Sequence, residues 1–196
     1  MSARPELLKE FKRKAFHCLS LLYLAAYHRF GARTTLTLMA VWILLEGCVE
    51  WVRLRYPRVN GTLMRLVGNI HRPDEEHRVS GILWTTLGCW LTLFLFGDRP
   101  MVVSAAILYL ALGDGAAALV GRAWGRTQIG FGGRRKTLEG SLGCFAACLA
   151  AGWAVGLRGV PLAAGAAVAT LLELVPLPLD DNLWLPLLSA AVLSSF

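Results

Sequence analysis

Long apolar runs separated by short polar ones dominate the chain. They fall at roughly 15–28, 34–52, 80–97, 101–120, 138–157, 160–175 and 183–196. The runs are rich in Leu and Ala and lack the two-residue alternation of a membrane barrel. Only a helix satisfies its own backbone hydrogen bonds, so separate runs of this kind predict helices that cross lipid. Several fall short of the roughly 20 residues of a standard span, the first and last most of all. The pattern predicts an all-α fold: a polytopic membrane helical bundle of about seven transmembrane helices, forming one domain over residues 1–196. The stretch between the second and third runs, RYPRVNGTLMRLVGNIHRPDEEHR, is different. Pro57 and Gly61 break its start, and Leu63, Leu66, Val67 and Ile70 form one apolar stripe, which predicts a helix lying at the membrane surface.

The composition agrees, with 56% hydrophobic and 17% charged residues. A net charge of +7 would suit nucleic acid, but its placement points elsewhere. Alternate connections carry 16 and 4 basic residues. The rich set comprises the arm Arg4–Lys14, the 53–78 region and the 122–136 loop. By the positive-inside rule this side is cytoplasmic, which puts the N-terminus inside and the C-terminus outside. The basic surplus is therefore topological, with membrane lipids or an anionic substrate as partners and no nucleic acid. The basic arm RPELLKEFKRK leads into the first run without a small-residue cleavage site, so this run is expected to be a retained span. Five cysteines without a CxxC pair read as reduced packing residues. The expected location is an integral multi-pass membrane protein, in the plasma (inner) membrane if the source is a prokaryote.

Ionisable residues inside spans are costly, so each is a functional candidate. Glu46, Asp114 and Glu173 lie twelve or thirteen residues after Thr34, Met101 and Val160, where their runs begin. At 1.5 Å per residue all three reach roughly 18–20 Å into a core of about 30 Å, nearer the cytoplasmic face. Asp180, Asp181 and Asn182 follow at that face. Hard oxygen ligands at one depth suit Mg²⁺ held between protein and phosphates. For Glu46 and Glu50, pairing with the nearby Arg53 and Arg55 is the competing reading.

Between the fourth and fifth runs lies LGDGAAALVGRAWGRTQIGFGGRRKTLEGS, with seven glycines and five basic residues after Asp114. Ala117, Gly121 and Gly125 repeat every four residues and allow close helix approach, within the chain or in a homo-oligomer. Gly130, Gly132 and Gly133 free backbone N–H groups to face an anion. Arg134, Arg135 and Lys136 add charge. Thr137 and Ser141 add hydroxyls where the next helix begins, a position that favours phosphate. There is no Walker A loop, GxSxG elbow, HExxH motif or metal-spaced Cys/His cluster. The four histidines are scattered, and His17 beside the basic arm reads as interfacial.

GDGAAALVGRAWGR followed by RRKTLEGSLGCF resembles the signature of the polyprenol kinase family: dolichol, phytol and farnesol kinases and CTP-dependent diacylglycerol kinases. The matching residues are Gly113, Asp114, Ala117, Gly121, Gly125, Lys136, Thr137, Glu139, Gly140, Ser141 and Phe145. RKAFH (Arg13 to His17), RPDEEHRVSGILW and ELVPLPLDDNLWLPL resemble further family segments, so the likeness touches most of the chain. The short length is similar to that of compact phytol-kinase-like and prokaryotic members.

The resemblance implies transfer of a phosphoryl group from a nucleoside triphosphate, typically CTP, to the hydroxyl of a membrane lipid alcohol. Phosphoryl transfer needs positioning and charge neutralisation. The expected roles follow from that need. Asp114, with Glu173 or Asp181, would bind Mg²⁺. Arg135, Lys136 and the backbone at Gly132 and Gly133, beside Gly121, would hold the triphosphate of CTP. Thr137 and Ser141 would bind phosphate oxygens. Glu139 would bind the metal or orient the basic cluster, and Asp114 or Asp181 would take the proton of the lipid alcohol substrate. Two alternatives stand beside this reading. A phosphatidate cytidylyltransferase would transfer CMP, but its closing Gly/His/Asp/Arg-rich segment is missing here. A transporter would use mid-membrane charges and matched halves, and no halves repeat.

Overall fold

The computed structural model describes residues 18–67, 76–129 and 136–196. Among these the chain is helical apart from one isolated bridge, Gln128 to Thr137. The helices are α1 (Ser20–Arg55), α2 (Pro57–Val67), α3 (Gly81–Phe96), α4 (Pro100–Leu108), α5 (Asp114–Trp124), α6 (Leu138–Ala154), α7 (Gly159–Leu174) and α8 (Asp181–Leu193). A five-residue π turn, Tyr109–Gly113, joins α4 to α5 without a break. The helical expectation holds. Two stretches, Ser20–Arg55, which is broken at Gly31, and Pro100–Trp124, are long and apolar enough to cross a membrane. The other apolar helices are shorter.

The first two apolar runs form one helical stretch that bends at Gly31, with φ 78° and ψ 168°. Tyr23 and Glu46, on either side of the bend, both reach the Thr86 hydroxyl on α3. In a straight helix they would stand about 35 Å apart. The chain therefore turns back on itself at Gly31 and lays both halves against α3. That backbone conformation is open essentially to glycine alone. No neighbour would touch an added Cβ there, so any penalty is purely conformational. Gly31→Ala is expected to destabilise the protein by about 1–3 kcal/mol. Thermal unfolding in detergent would show it as a lower midpoint.

Contacts at the two ends of the bundle establish an up-and-down order. At one end the Tyr27 hydroxyl donates to Gly97 O (2.9 Å), Arg99 donates to Ser194 O, and Met101 lies beside Gly156. At the other end α1 closes on a buried polar knot. Arg53, 2% exposed, donates to both oxygens of Glu50 (2.9 and 2.6 Å) and to Arg78 O. Glu50 accepts from Ser80 N (3.0 Å), and Asn60 donates to Glu76 O (2.8 Å). The knot ties α1, α2 and the start of α3 together, and it resolves Glu50 as a structural acid. Pro57 begins α2 rather than breaking it, because the first turn of a helix leaves its N–H unused. Gly61 sits inside the helix. Ile70 lies outside the described residues.

The core is filled mainly from α3 through α8, with Tyr27 and Met39 of α1 joining it, and Tyr109, Ile107, Leu110 and Val103 are among its largest buried side chains. Helices α3 and α8 meet backbone to backbone, since a Cβ on Gly88 would lie 2.6 Å from Asn182 O. Much of the outer surface is apolar: Leu22, Leu44, Phe94, Leu142, Val160 and Leu171 are exposed. Trp51 and Trp124 are exposed toward the end that carries Arg53, and Trp153 toward the opposite end. A contiguous apolar exterior of this kind suits lipid or a partner rather than water.

Candidate functional site

The central motif folds into one corner of the bundle, at the end that carries the Arg53 knot. The Ala117–Gly121–Gly125 face of α5 is taken up within the chain, against the start of α6. An added Cβ on Gly121 would lie 2.9 Å from Thr137 Oγ1. On Gly140 it would lie 2.7 Å from Ala117 O and 3.2 Å from the Gly121 Cα. This close approach accounts for Gly121 and Gly125 through packing. Thr137 caps α6 by accepting from Gly140 N (3.1 Å).

The loop between α5 and α6 is closed at its base by antiparallel pairing. Leu138 N donates to Thr127 O (2.9 Å) and Ile129 N to Lys136 O (3.0 Å). Glu139 turns its carboxylate onto Thr127 N (3.2 and 3.3 Å), which ties it to the base of the loop. The tip of the loop, including Gly132, Gly133, Arg134 and Arg135, lies outside the described residues. So do Arg13 and His17 of the N-terminal arm.

Lys136 and Glu173 are expected in different roles, and the fold brings them together. The Lys136 ammonium donates to Glu173 Oε1 in an ion pair across the α6–α7 interface. Glu173 is 4% exposed, and only the lysine reaches solvent. One turn into α6, Ser141 is 8% exposed, and its hydroxyl oxygen has no hydrogen-bond partner among the described residues. A buried hydroxyl left this way costs about 1–3 kcal/mol unless something binds it.

Asp114 is half-buried where the π turn passes into α5, and its N–H donates to Tyr109 O. The one extra residue of a π turn rotates everything after it by roughly 100° relative to an uninterrupted helix. The turn packs closely on α6, where a Cβ on Gly113 would lie 2.5 Å from the Cys148 sulfur. Sequence reasoning did not find this turn, although Gly113 and Gly115 around the acid hint at irregular backbone. Asp181 opens α8, capped by Asp180, whose side chain accepts from Asn182 N (3.0 Å). Just before it, Leu179 adopts φ 70°, a strained value for a leucine. Among the described residues no three His, Cys, Asp or Glu side chains stand close enough to hold a metal by themselves. Glu46 sits apart from this corner in its contacts, bonded to Thr86 between α1 and α3.

The described residues thus define a helical protein with an apolar exterior and, at one end, a loop base paired next to a buried Lys–Glu ion pair. Its relatives are lipid kinases by name. CTP-dependent diacylglycerol kinase 1 of Schizosaccharomyces pombe is 28% identical over 141 residues, covering 69% of this chain and 62% of that protein. The Eremothecium gossypii protein of the same name is 32% identical over 141 residues, covering 69% of this chain and 43% of its own length. The Saccharomyces cerevisiae protein is 28% identical over 139 residues, with 69% and 47% covered. The chain is therefore similar to these CTP-dependent diacylglycerol kinases over about two thirds of its length. It spans about half the length of these curated relatives. No family model and no solved structure matches it.

Proposed function

We propose that this protein is a CTP-dependent lipid alcohol kinase, a multi-pass membrane protein that transfers the γ-phosphoryl group of CTP to the free hydroxyl of a bilayer lipid. Diacylglycerol is the first acceptor to test because the relatives are named for it, with polyprenol and phytol next. The observation that carries the reading is the corner just described. The basic Lys-Thr-x-Glu-Gly-Ser stretch opens a helix there, beside Asp114, with a buried hydroxyl on Ser141 still lacking a partner.

Lys136 is placed to trade part of its contact with Glu173 for the triphosphate. Ser141 and the first N–H groups of α6 bind a phosphate oxygen, as helix N-termini do. Thr137 and Glu139 hold the loop base, and the cationic Arg135 of the same loop adds positive charge for the triphosphate. Asp114 and Asp181 offer hard oxygens that suit Mg²⁺ shared with phosphates, and Glu173 lies within the same corner. Mg²⁺ normally takes only one or two protein carboxylates in such sites, which fits these donors. When bound it neutralises charge that develops on the phosphates. Asp114 or Asp181 accepts the proton of the lipid hydroxyl. The basic-rich end faces the cytoplasm, and the short apolar helices imply a locally thinned bilayer around the site.

The test uses purified protein with Mg²⁺, CTP labelled at the α or the γ phosphate, and diacylglycerol, polyprenol, phytol and phosphatidate as acceptors. Label from the γ position in the lipid establishes the kinase and names its acceptor. Label from the α position in phosphatidate would replace it with a cytidylyltransferase. Ser141→Ala is expected to raise the KM for CTP about tenfold while leaving the thermal midpoint unchanged or slightly higher. The lost hydroxyl has no partner to forfeit in the free protein, and only bound nucleotide would miss it. A fall in midpoint with unchanged KM would assign Ser141 to packing.

A further inference from the structure

One half-buried acid lies outside the machinery above. Glu46 sits on the second half of α1, one turn before Glu50 in the polar knot, and so about 6 Å further into the bundle. Thr86 on α3 is fully buried and donates to Glu46 Oε1 (3.2 Å), sharing its hydroxyl with Ile82 O (3.1 Å). Tyr23, from the first half of α1, completes the chain of hydroxyls at 3.0 Å from Thr86 Oγ1. The other carboxyl oxygen, Oε2, is buried and has no partner among the described residues. Beside it Gly47 leaves open space, with nothing within 4 Å of where a Cβ would stand. The flanking residues Trp42, Leu45 and Ile82 are exposed on the apolar exterior.

A carboxyl oxygen at membrane depth demands a hydrogen-bond donor. Its polar neighbours are the Thr86 and Tyr23 hydroxyls and the Trp42 indole N–H, with no cation among them, so the cluster is not built for a phosphate or other anion. Its depth, a turn inside the polar knot, matches a lipid that ends in a bare hydroxyl rather than one with a charged headgroup. We infer that Glu46, Thr86 and Tyr23 form a docking site for the free hydroxyl of the lipid acceptor, open sideways to the bilayer through the notch at Gly47. The hydroxyl donates to Glu46 Oε2 while its tail lies along Trp42, Leu45 and Ile82. Glu46 is a positioning residue that loads the acceptor, and the transfer itself takes place at the Asp114 corner. This rests on the lipid-alcohol reading above.

The experiment separates loading from chemistry. Binding of labelled dioleoylglycerol and of its O-methyl ether is measured on the full chain in nanodiscs without CTP. Transfer rates are then measured with each substrate varied in turn. The wild type is expected to bind the alcohol at least tenfold more tightly than the ether, and Glu46→Leu to erase that preference. Glu46→Leu should also raise the KM for lipid about tenfold and leave the KM for CTP unchanged. Gly47→Leu, which fills the notch and removes no polar atom, should weaken lipid binding alike. It keeps the test open if Glu46→Leu fails to fold. A wild type that cannot tell alcohol from ether, or a Glu46→Leu protein that still can, overturns the docking site. Equal rises in both KM values overturn it too. A wild type that prefers the alcohol but moves no γ-phosphate from CTP would retain the site and refute the kinase reading instead.

Discussion

Asp114→Asn is expected to reduce γ-phosphoryl transfer at least about a thousandfold while the protein folds and inserts normally. Asparagine matches aspartate in size, so the junction between the π turn and α5 keeps its packing against α6. What disappears is the negative charge. Losing one pre-placed hydrogen-bond donor that stabilises charge in a transition state typically costs about 10²–10³ in rate. A carboxylate that also helps to hold the metal should cost more. Initial rates with γ-labelled CTP, together with a thermal midpoint within about 2 °C of wild type, check both halves. Full activity in the variant would remove Asp114 from the site.

The second large effect lies in the Lys136–Glu173 pair. Lys136→Met removes the ammonium that pairs with the Glu173 carboxylate, which is buried at 4% exposure. Breaking a buried pair from one side costs about 3–5 kcal/mol, and because the lysine is partly solvated about 3 kcal/mol is expected here. For a chain of this length that lowers the melting midpoint by roughly 6–12 °C. The double variant Lys136→Met with Glu173→Leu removes both charges. It should recover most of that stability, because an apolar pair of similar volume often replaces a buried ion pair at little loss. Activity should not return, since the triphosphate still lacks the ammonium. Unfolding and transfer rates on the two single variants and the double variant complete the cycle. Recovery of activity along with stability would make Lys136 a structural residue only.

The candidate site was legible wherever its chemistry is local in the chain. Thr137, Glu139 and Ser141 fall within one helical turn, so their order alone announced a capped helix start next to a basic loop. The glycine face of α5 was legible for the same reason, but not what it meets. A four-residue repeat of small residues says that some backbone comes close, and only the fold shows that it is the start of α6. The Lys136–Glu173 pair was not legible, because the two residues stand 37 positions apart and nothing local couples them. The same limit separated Glu46 from Glu50. Both acids lie on one face of α1 near arginines, yet Glu50 meets Arg53 three residues on, whereas Glu46 meets a threonine forty residues away.

Hydrophobic patterning by itself determined that this chain is helical and roughly where each helix runs, because apolar runs of that length in lipid have few other ways to satisfy their backbone. The local motif determined which residues could meet phosphate. Three features were decided only by the tertiary structure: the reversal at Gly31, the π turn that presents Asp114, and the pairing of each buried acid with its partner. The physical reason is common to all three. Each depends on how whole helices rotate and slide against one another to fill a core, and a shift of a single residue in a helix turns every later side chain by roughly 100°. Sequence periodicity states that a face exists, and packing between distant segments decides where it points.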